Sequence, residues 1–407
     1  MSEWIKAEEY CVSVFDGTHD TPKVTETGYK LVTSKNILSN TLDLNSAYFI
    51  SEEDFVNINK RSKVKQYDIL FSMIGTVGSL YFETSDTIDY AIKNIGVFSC
   101  GDKEKAEWLY YYLQSSYARQ YIKRYLNGAV QKFLPLKGLR EFPVPQFNKE
   151  LHNRIKILLN IDQKIQINNQ INQELEAMAK TLYDYWFVQF DFPDQNGNPY
   201  KSSGGKMVYN PELKREIPER WGVEKLGDIS QYVSEKVGSS ELNKENYVGT
   251  DNMIADMGGI ELTTSIPKSG TSTKFSVGDI LISNIRPYFK KIWLSDRTGG
   301  CSADVLCIRT NRIIYKEFVY ATLARDDFFN YDVAGSKGSK MPRGDKKHIM
   351  EYPIVFEFEI ADQFSKIVRP IYEAVHKNYN QNQELTQLRD WLLPMLMNGQ
   401  ARVEDKT

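Results

Sequence analysis

The residues best suited to chemistry in this chain are two groups of basic side chains at matching positions. Between Arg119 and Arg140 the sequence has six basic residues and no acid, and between Gly335 and Lys347 it has five basic residues and one acid, Asp345. Both groups contain glycines, which let a backbone come close to a ligand. A single basic run is usually a solvated face. Two runs at corresponding places favour contact with phosphate groups at two positions.

These groups predict which residues lie near the phosphates and bases of a nucleic acid. We expect Lys132, Lys137, Lys337, Lys340 and Arg343 near phosphates, Gln131 and Ser339 near base edges, and Gly128, Gly335 and Gly338 at close backbone approaches. A second set comes from loops next to strands, namely Thr18, His19, Lys23, Ser72, Gly75, Thr76, Asn284, Arg286, Lys290 and Lys291. The net charge of −2 does not argue against such a ligand, because the distribution of charge matters more than its total.

Enzyme motifs are incomplete in this sequence. Pro193-Asp194 with Glu212-Leu213-Lys214 fits a loose nuclease pattern, but the residues between them have the composition of a linker. Asn198-Pro199-Tyr200 lacks the second proline of the base-holding motif of adenine methyltransferases, and no glycine-rich loop follows a strand to hold a methyl donor. Gly204-Gly205-Lys206 is followed by Met207, where a phosphate loop needs Ser or Thr. The sequence therefore contains no complete catalytic constellation.

Metal, disulfide and membrane sites are also not indicated. The four cysteines form no C-x-x-C pair, and the four histidines have no metal-ligand spacing. The cysteines are interpreted as reduced thiols of an intracellular protein. The N-terminus does not resemble a signal peptide, and no apolar run approaches membrane-spanning length. We expect a soluble, cytoplasmic protein with no metal site.

The elements that must position the basic groups are duplicated. Asn172–Leu175 returns as Asn382–Leu385 and Glu141–Val144 returns as Glu351–Ile354, both at a shift of 210 residues, while Asp68–Leu70 returns as Asp279–Leu281 at a shift of 211. A shift of this length indicates a duplicated domain with a helix, since solenoid repeats are only about 20–50 residues long. Two copies suit a ligand that presents two sites.

Each copy contains a helix with a heptad seam. The first seam is Leu158, Ile161, Ile165, Asn168, Asn172, Leu175, Ala179, Leu182 and Trp186, and the second is Val368, Ile371, Val375, Asn378, Asn382, Leu385, Arg389, Leu392 and Leu396. Asparagine in a seam lowers stability but fixes register and partner. We therefore predict that the two helices pair with each other, antiparallel. The alternative is two core helices of separate domains. Pro370 is expected to kink the second helix or to mark its first turn.

The remaining sequence predicts a β-rich domain before each helix. Tyr67–Phe82 and Val277–Leu294 both have the pattern of a buried strand, a tight turn and a second strand. Helices are expected at Ala106–Tyr125 and Lys316–Tyr331, where apolar residues follow helical spacing. Residues 191–216 are rich in Gly, Asn, Ser and Pro, which is typical of a flexible linker.

These features resemble the DNA specificity subunit of type I restriction–modification systems. The resemblance rests on the half-repeats, the Asn-Gln-Glu-Leu helices, the helix exit Trp186–Pro193, the segment Tyr200–Gly205 and the stretch Ile217–Ile229. It covers essentially the whole chain. It implies an α+β fold with two α/β target recognition domains in a pseudo-two-fold repeat, separated by two long helices in an antiparallel coiled coil. The implied segments are a first recognition domain at 1–148, a central helix at 149–190, a linker at 191–216, a second recognition domain at 217–357 and a C-terminal helix at 358–400.

The resemblance also implies a function. Each domain would read one half of a split double-stranded DNA sequence, and the helices would dock two adenine methyltransferase subunits. Restriction and translocase subunits would join them, and S-adenosylmethionine, ATP and Mg would belong to these partners. A helix from about Leu151 to Phe187 would be ~50 Å long, more than one ~34 Å turn of DNA. The alternatives are a single-chain methyltransferase or nuclease, which a methylation assay on the isolated chain would reveal, and a coiled-coil scaffold without salt-dependent DNA binding.

Overall fold

The chain divides into two compact units. The computed structural model describes residues 4–38, 40–126, 133–338, 340–398 and 400. One unit is Met1–Gln166 with Gln383–Thr407, and the other is Ile167–Asn382. Each unit contains one sheet-rich domain and a stretch of both long helices.

The N-terminal half builds its sheets first and ends in a long helix. Its strands are β1 (Trp4–Lys6), β2 (Ser13–Asp16), β3 (Tyr29–Thr33), β4 (Ile37–Leu38), β5 (Thr41–Leu42), β6 (Tyr48–Ile50), β7 (Ile69–Ser72), β8 (Leu80–Phe82), β9 (Tyr90–Lys93), β10 (Ile95–Ser99) and β11 (Pro143–Pro145). Its helices are α1 (Ala7–Tyr10), α2 (Glu52–Ser62), α3 (Lys103–Leu113), α4 (Ser116–Leu126), α5 (Leu136–Arg140) and α6 (Lys149–Tyr183). A π-helical turn at Asp184–Val188 follows α6 directly.

The C-terminal half resembles this order of elements, but it begins with an additional hairpin and its described residues contain no counterpart of α2. Its strands are β12 (Met207–Asn210), β13 (Arg215–Pro218), β14 (Gly222–Lys225), β15 (Ser230–Tyr232), β16 (Lys236–Gly238), β17 (Tyr247–Val248), β18 (Thr271–Phe275), β19 (Ile280–Ser283), β20 (Ile292–Leu294), β21 (Gly299–Cys301), β22 (Val305–Thr310) and β23 (Pro353–Phe356). Its helices are α7 (Leu226–Ile229), α8 (Lys316–Leu323), α9 (Asp326–Gly335), α10 (Lys346–Met350) and α11 (Phe358–Met397).

The two domains repeat the same sheet topology. In the first domain one sheet has the order β2-β10-β7-β8, and in the second the corresponding order is β15-β22-β19-β20. The first strand of each domain pairs antiparallel with its last, β1 with β11 and β14 with β23. The fully buried strands β7 and β19 start from equivalent turns, in which Asp68 accepts from the backbone N–H of Lys65 and Asp279 from that of Ser276. The predicted α+β fold with a duplicated domain is confirmed.

Each predicted domain helix is broken into two. In the first domain α3 ends at Leu113 and α4 begins at Ser116, and the hydroxyl of Ser115 accepts a hydrogen bond from the backbone N–H of Ala118. This side chain competes with the helix for backbone donors and starts a new helix. In the second domain the break lies between Leu323 and Asp326. The prediction of one continuous helix at each place was wrong.

Residues 191–216 are folded, contrary to the prediction of a flexible linker. Asp191 accepts hydrogen bonds from the backbone N–H and the hydroxyl of Ser202, at 2.7 and 2.6 Å. The ring of Phe192 stacks on Trp221 with their centroids 4.9 Å apart. The strands β12 and β13 form an antiparallel hairpin within this segment. Buried aromatic residues therefore hold a segment whose polar composition alone is typical of a loop.

The predicted seam is confirmed by burial and by contacts within each unit. Every predicted seam residue is buried or half-buried. In the unit 167–382, Asn168 donates to Asn382 Oδ1 at 2.8 Å, and Asn378 donates to Asn172 Oδ1 at 2.8 Å. In the other unit Arg389 donates to Asp162 at 3.0 Å. As the residue number increases along α6, the number of its partner on α11 decreases, so the two helices run antiparallel.

The asparagine pairs also show the symmetry of the repeat. A shift of 210 residues converts Asn168 into Asn378 and Asn172 into Asn382. The pair of Asn168 with Asn382 is therefore the two-fold copy of the pair of Asn378 with Asn172, as expected for a self-complementary contact. Pro370 lies well inside α11, so the prediction that it marks the first turn was wrong.

Candidate nucleic-acid interface

The second basic group is fixed to the end of a central strand of the C-terminal domain. The segment that precedes α10 forms an isolated bridge between Arg343 and Ile285, just beyond the end of β19. The backbone N–H of Arg286 donates to Pro342 O at 2.8 Å, and that of Gly344 donates to Asn284 O at 3.2 Å. The structure thus brings together predicted residues from both sets, Arg343 from the basic group and Arg286 from the strand-end loop.

The N-terminal domain has the same connection at equivalent positions. Ile74, beyond the end of β7, forms an isolated bridge with Phe133, and the backbone N–H of Leu134 donates to Met73 O at 3.0 Å. Phe133 corresponds to Arg343 at the shift of 210, and Ile74 to Ile285 at the shift of 211. Gly75 and Thr76, which follow Ile74, are exposed, as is Lys137. The predicted residues Gly128, Gln131, Lys132 and Ser339 lie outside the described residues.

Most basic side chains of the C-terminal surface already have an intradomain partner. Lys337 pairs with Asp345, and Arg343 pairs with Asp304 at 3.1 Å. Lys290 pairs with Asp326 at 2.6 Å, and Lys291 donates to Thr250 O at 2.7 Å. Among the described residues, Arg286 and Lys340 have neither an ion pair nor a side-chain hydrogen bond. These two exposed cations carry charge that no neighbouring acid compensates.

The ion pairs of this surface are weak enough to be exchanged for a ligand. The hydrogen bond from Lys337, with two backbone N–H donors at the start of α10, lowers the pKa of Asp345 to about 2. Asp345 is therefore ionised at neutral pH and shares its charge with Lys337. Pairs between exposed side chains contribute little to stability. A phosphate group can replace such a carboxylate as the partner of a lysine.

Exposed apolar and aromatic side chains surround the basic ones. Tyr288 and Phe289, whose rings are 4.8 Å apart, are exposed beside Arg286, and Met341 is exposed in the basic segment. In the N-terminal domain Ile74 and Phe133 are exposed at the bridge itself. Aromatic rings next to cations are typical of surfaces on which bases stack. Sequence reasoning missed these residues, although the aromatic pair between Arg286 and Lys290 was a usable signal.

Some predicted contacts lie elsewhere. Ser72 is fully buried and its hydroxyl donates to Ile74 O at 3.1 Å, so its prediction as a nucleic-acid contact was wrong. Ser283 is the residue that corresponds to Ser72 in the C-terminal domain, and Asn284, which follows it, is buried as well. Thr18 bridges Lys93, and His19 lies between Asp16 and Asn94 at 3.0 and 2.7 Å. Lys23 is exposed. Gly335 is fixed against the ring of His348, where a Cβ would clash at 1.9 Å.

A buried polar pair lies beneath the C-terminal surface. The side chain of Asp332 on α9 is fully buried, and among the described residues neither of its carboxylate oxygens has a hydrogen-bond partner, nor has Oδ1 of Asn284. A Cβ on Gly344 would lie 2.4 Å from Asp332 Oδ1 and 2.9 Å from Asn284 Oδ1. Only glycine fits here. Burial raises the pKa of Asp332 to about 6, and His348 partly opposes that rise.

The equivalent place in the N-terminal domain is apolar. Shifts of 210 and 211 residues convert Asp332 into Ile122, Gly344 into Leu134 and Asn284 into Met73, all of which belong to the buried core. The polar pair is therefore a feature of one domain and not of the shared fold. The residues that the structure describes contain no group of three or more His, Cys, Asp or Glu side chains arranged to hold a metal ion. No described helix is long and apolar enough to cross a membrane.

Duplicated domains, each with a basic segment fixed to a strand end, define a protein with two equivalent candidate surfaces for nucleic acid. The model of the type I restriction modification DNA specificity domain matches residues 20–177. The MjaIX specificity subunit of Methanocaldococcus jannaschii is 27% identical over 322 residues, which cover 74% of this chain and 70% of the relative. The HindI specificity subunit of Haemophilus influenzae is 23% identical over 406 residues, covering 84% and 88%.

A solved structure supports the same fold. The S subunit of a type I restriction–modification system from M. genitalium aligns with a TM-score of 0.52 and 14% identity, over 97% of this chain and 96% of that one. The chain is thus similar, in part of its sequence and in its fold, to DNA specificity subunits of type I restriction–modification systems.

Proposed function

We propose that this chain is the non-catalytic subunit that selects the DNA sequence for a type I restriction–modification system. Each of its two domains binds one half of a split double-stranded sequence, and the bases between the halves are not read. The observation that carries this proposal is the repeated connection between a basic segment and a strand end, Arg343 with Ile285 and Phe133 with Ile74. Two equivalent surfaces of this kind suit two half-sites.

The chemistry of the surface suits duplex DNA. Lysine and arginine side chains that contact phosphates displace condensed counterions, which favours binding at low salt. Lys340 and Arg286 are exposed without an intradomain partner among the described residues. Phosphate contacts position a protein on the duplex, and contacts with base edges give sequence selectivity. Rigid backbone connections at the strand ends would hold the selecting side chains in place.

Lys340 provides a direct test of phosphate contact. Replacing it by alanine is expected to weaken binding to every duplex and to lower the slope of log affinity against log salt by about one, because one counterion fewer is released. Fluorescence anisotropy over a salt series measures this slope. Lys214→Ala is the matched control, since Lys214 is an exposed lysine of the β12–β13 hairpin. An unchanged slope for Lys340→Ala would place the phosphate contacts elsewhere.

Two adenine methyltransferase subunits are the proposed partners of the helices. The relatives that match this chain are specificity subunits of type I restriction enzymes, which supports an assembly with catalytic subunits. S-adenosylmethionine would be bound by the methyltransferase subunits, and restriction and translocase subunits would use ATP and Mg. The single-chain methyltransferase or nuclease is the less favoured alternative, because the relatives are named for specificity and not for catalysis.

Exposed apolar residues on the helices support two equal docking sites. They occupy the position directly before the first residue of each heptad, which borders the seam. In the unit 167–382 they are Ile171, Met178, Tyr185 and Ile367, and in the other unit they are Ile157 and Leu388. The shift of 210 residues converts Ile157 into Ile367 and Met178 into Leu388. Repeated exposed apolar side chains are typical of a protein contact, and their duplication suits two copies of one partner.

Charged substitutions in these stripes should remove the partners one at a time. Met178 is 58% exposed and Leu388 is 42% exposed, so glutamate at either position should leave the fold intact. Met178→Glu or Leu388→Glu is expected to reduce the bound methyltransferase from two copies to one, and the double variant to none, because an ionised carboxylate would be desolvated in the contact. Light scattering of the purified complex measures the stoichiometry. Gln170→Glu, on the outer face of α6, is the matched control. Two bound copies in the double variant would contradict this docking surface.

The function itself is tested by methylation. The full chain alone is expected to transfer no methyl groups, whereas the chain with its methyltransferase partner should methylate a single split sequence in host DNA. Sequencing of modified bases in a host that carries both proteins identifies that sequence. Deletion of this chain should abolish the modification. Methyl transfer by the highly purified chain alone would favour the enzyme alternative.

A further inference from the structure

The turn beyond the central strand contains two residues with left-handed backbone in each domain. In the N-terminal domain these positions are Gly75 and Gly78, with φ of 76° and 97°. In the C-terminal domain they are Arg286 and Lys290, each with φ of 51°. Gly75 corresponds to Arg286 at the shift of 211 residues. Glycine adopts this conformation without steric cost, but a residue with a Cβ does not.

Left-handed backbone at residues with a Cβ is costly, and such residues cluster at functional sites, where the side chain serves a purpose. For Lys290 the purpose is visible, because its ammonium group pairs with Asp326 at 2.6 Å. For Arg286 the described residues provide no partner for the guanidinium group, and the residue is exposed. Among the described residues, therefore, no contact of the Arg286 side chain offsets the cost of its left-handed backbone.

The backbone at Arg286 is fixed on both sides. Its N–H donates to Pro342 O at 2.8 Å, and its carbonyl accepts from the N–H of Phe289 at 2.9 Å. The next residue is Pro287, which is buried and has a fixed φ, and a 3₁₀ turn runs over Pro287–Phe289. The backbone that carries the guanidinium group is therefore held in one position. A side chain that recognises a base edge needs a fixed backbone position, whereas a side chain that contacts a phosphate can be mobile.

We propose that Arg286 is a specificity-determining residue of the C-terminal domain, whose guanidinium group recognises a guanine edge in the second half-site. Arginine matches the O6 and N7 acceptors of guanine with two parallel hydrogen bonds in the major groove. The exposed rings of Tyr288 and Phe289 follow Pro287 in the same turn. This inference rests on the proposed function and adds to it one residue and one base. The N-terminal domain has glycine at the equivalent position, so its half-site is read by other side chains.

Stability and binding should respond to Arg286 in opposite directions. Arg286→Gly relieves the strained backbone, so the melting temperature is expected to rise by roughly 2–4 °C. The affinity of the same variant for a duplex that contains the target sequence, as identified by methylation, should fall by about tenfold or more, because a bidentate base contact is lost. A duplex of equal length with scrambled half-sites should lose little affinity. Arg286→Lys keeps the charge but not the paired donors, and should lose target preference while keeping affinity for the scrambled duplex.

Lys214→Gly is the matched control for both effects. Lys214 also has a left-handed backbone, with φ of 52°, and it is exposed in the β12–β13 hairpin. Its replacement relieves similar strain and removes one positive charge, so the melting temperature should rise while binding of the target duplex stays as in the wild type. The measurements use the full chain, by thermal unfolding and by fluorescence anisotropy on the two duplexes.

Three outcomes decide the proposal. A rise in stability with a loss confined to the target duplex supports it. Equal losses on both duplexes would assign Arg286 to a phosphate and overturn the base contact. A rise in stability with unchanged binding would show that the strained arginine has no role in recognition. If the wild-type chain itself does not prefer the target duplex, the proposed function fails, and the thermal measurement still reports whether Arg286 is strained.

Discussion

Replacing Asn168 with leucine is expected to lower the free energy of unfolding by about 2 kcal/mol. Asn168 is fully buried and its amide donates to Asn382 Oδ1 and to Gln381 Oε1, both at 2.8 Å. The substitution removes the hydrogen bond between Asn168 and Asn382 inside the seam, and losing one partner of a buried hydrogen bond costs about 1–3 kcal/mol. The larger apolar side chain offsets part of this cost. Urea unfolding followed by circular dichroism measures the change.

The double variant Asn168→Leu with Asn382→Leu should recover most of that loss or exceed the wild type. Two apolar side chains facing each other remove the need for a donor, and replacing both partners is often close to neutral. The two-fold repeat supplies the control, because Asn378→Leu removes the equivalent donor, to Asn172 Oδ1, and should also lower the free energy of unfolding. Additive effects of the two substitutions at 168 and 382 would contradict a coupled asparagine pair.

The helix seam was the part of the fold that the sequence could predict best. Its period of alternating three and four residues is local, and the asparagines at the same places in both copies specify the partner. The sheet order β2-β10-β7-β8 was not predictable, because its pairings join strands far apart in sequence and depend on which apolar faces meet. The break between α3 and α4 depends on a single hydroxyl, that of Ser115, competing for a backbone donor.

Residues 191–216 show that amino-acid composition alone can predict a flexible linker where the chain is folded. Its glycines, asparagines and serines are those of a loop, yet Phe192 and Tyr200 stack with centroids 4.7 Å apart, and both pack in the same core as Trp221. A few aromatic residues outweigh many polar ones, since each buries a large apolar area. Those aromatic residues were the signal for a folded segment, and the polar background concealed it.

The candidate interface was predictable in its location and not in its details. Basic residues at matched places pointed to the segment that contains Arg343, and the repeat pointed to the turn after each central strand. The bridge between Arg343 and Ile285 joins these two predictions in space. Ser72 was predicted at the surface because it precedes a glycine turn, but it ends a strand that is buried on both faces. The burial of a strand end depends on what covers it, which is a long-range property.

Asp332→Asn is expected to stabilise the protein at pH 8 by about 2–3 kcal/mol and to have little effect at pH 4. Burial raises the pKa of the fully buried Asp332 to about 6 from its ordinary value of 3.8. As the pH rises from about 4 to 6, the unfolded chain releases the proton that the folded chain retains, so unfolding becomes more favourable. Above pH 6 the full cost of about 3 kcal/mol applies, since a difference of one in pKa corresponds to about 1.36 kcal/mol.

Asparagine removes that cost because it has no proton to lose, and its amide can donate to Asn284 Oδ1, which has no partner among the described residues. The other charged or titratable groups that face this place are His348, Tyr232 and Asp345. They are unchanged in the variant, so the pH dependence of the difference between variant and wild type reports Asp332. Urea unfolding at pH 4, 6 and 8 gives the three differences. Asp327→Asn, at an exposed position of the same helix, is the control and should show no comparable rise.

A difference that is equal at pH 4 and pH 8 would mean that the pKa of Asp332 is the same in the folded and the unfolded chain. A variant less stable than the wild type at pH 8 would mean that a donor absent from the described contacts holds the carboxylate. The expected rise would instead show that the segment carrying Arg343 is stabilised when Asp332 is protonated, since Gly344 packs directly on that carboxyl group. The N-terminal domain, with Ile122 at the equivalent position, should show no such dependence on pH.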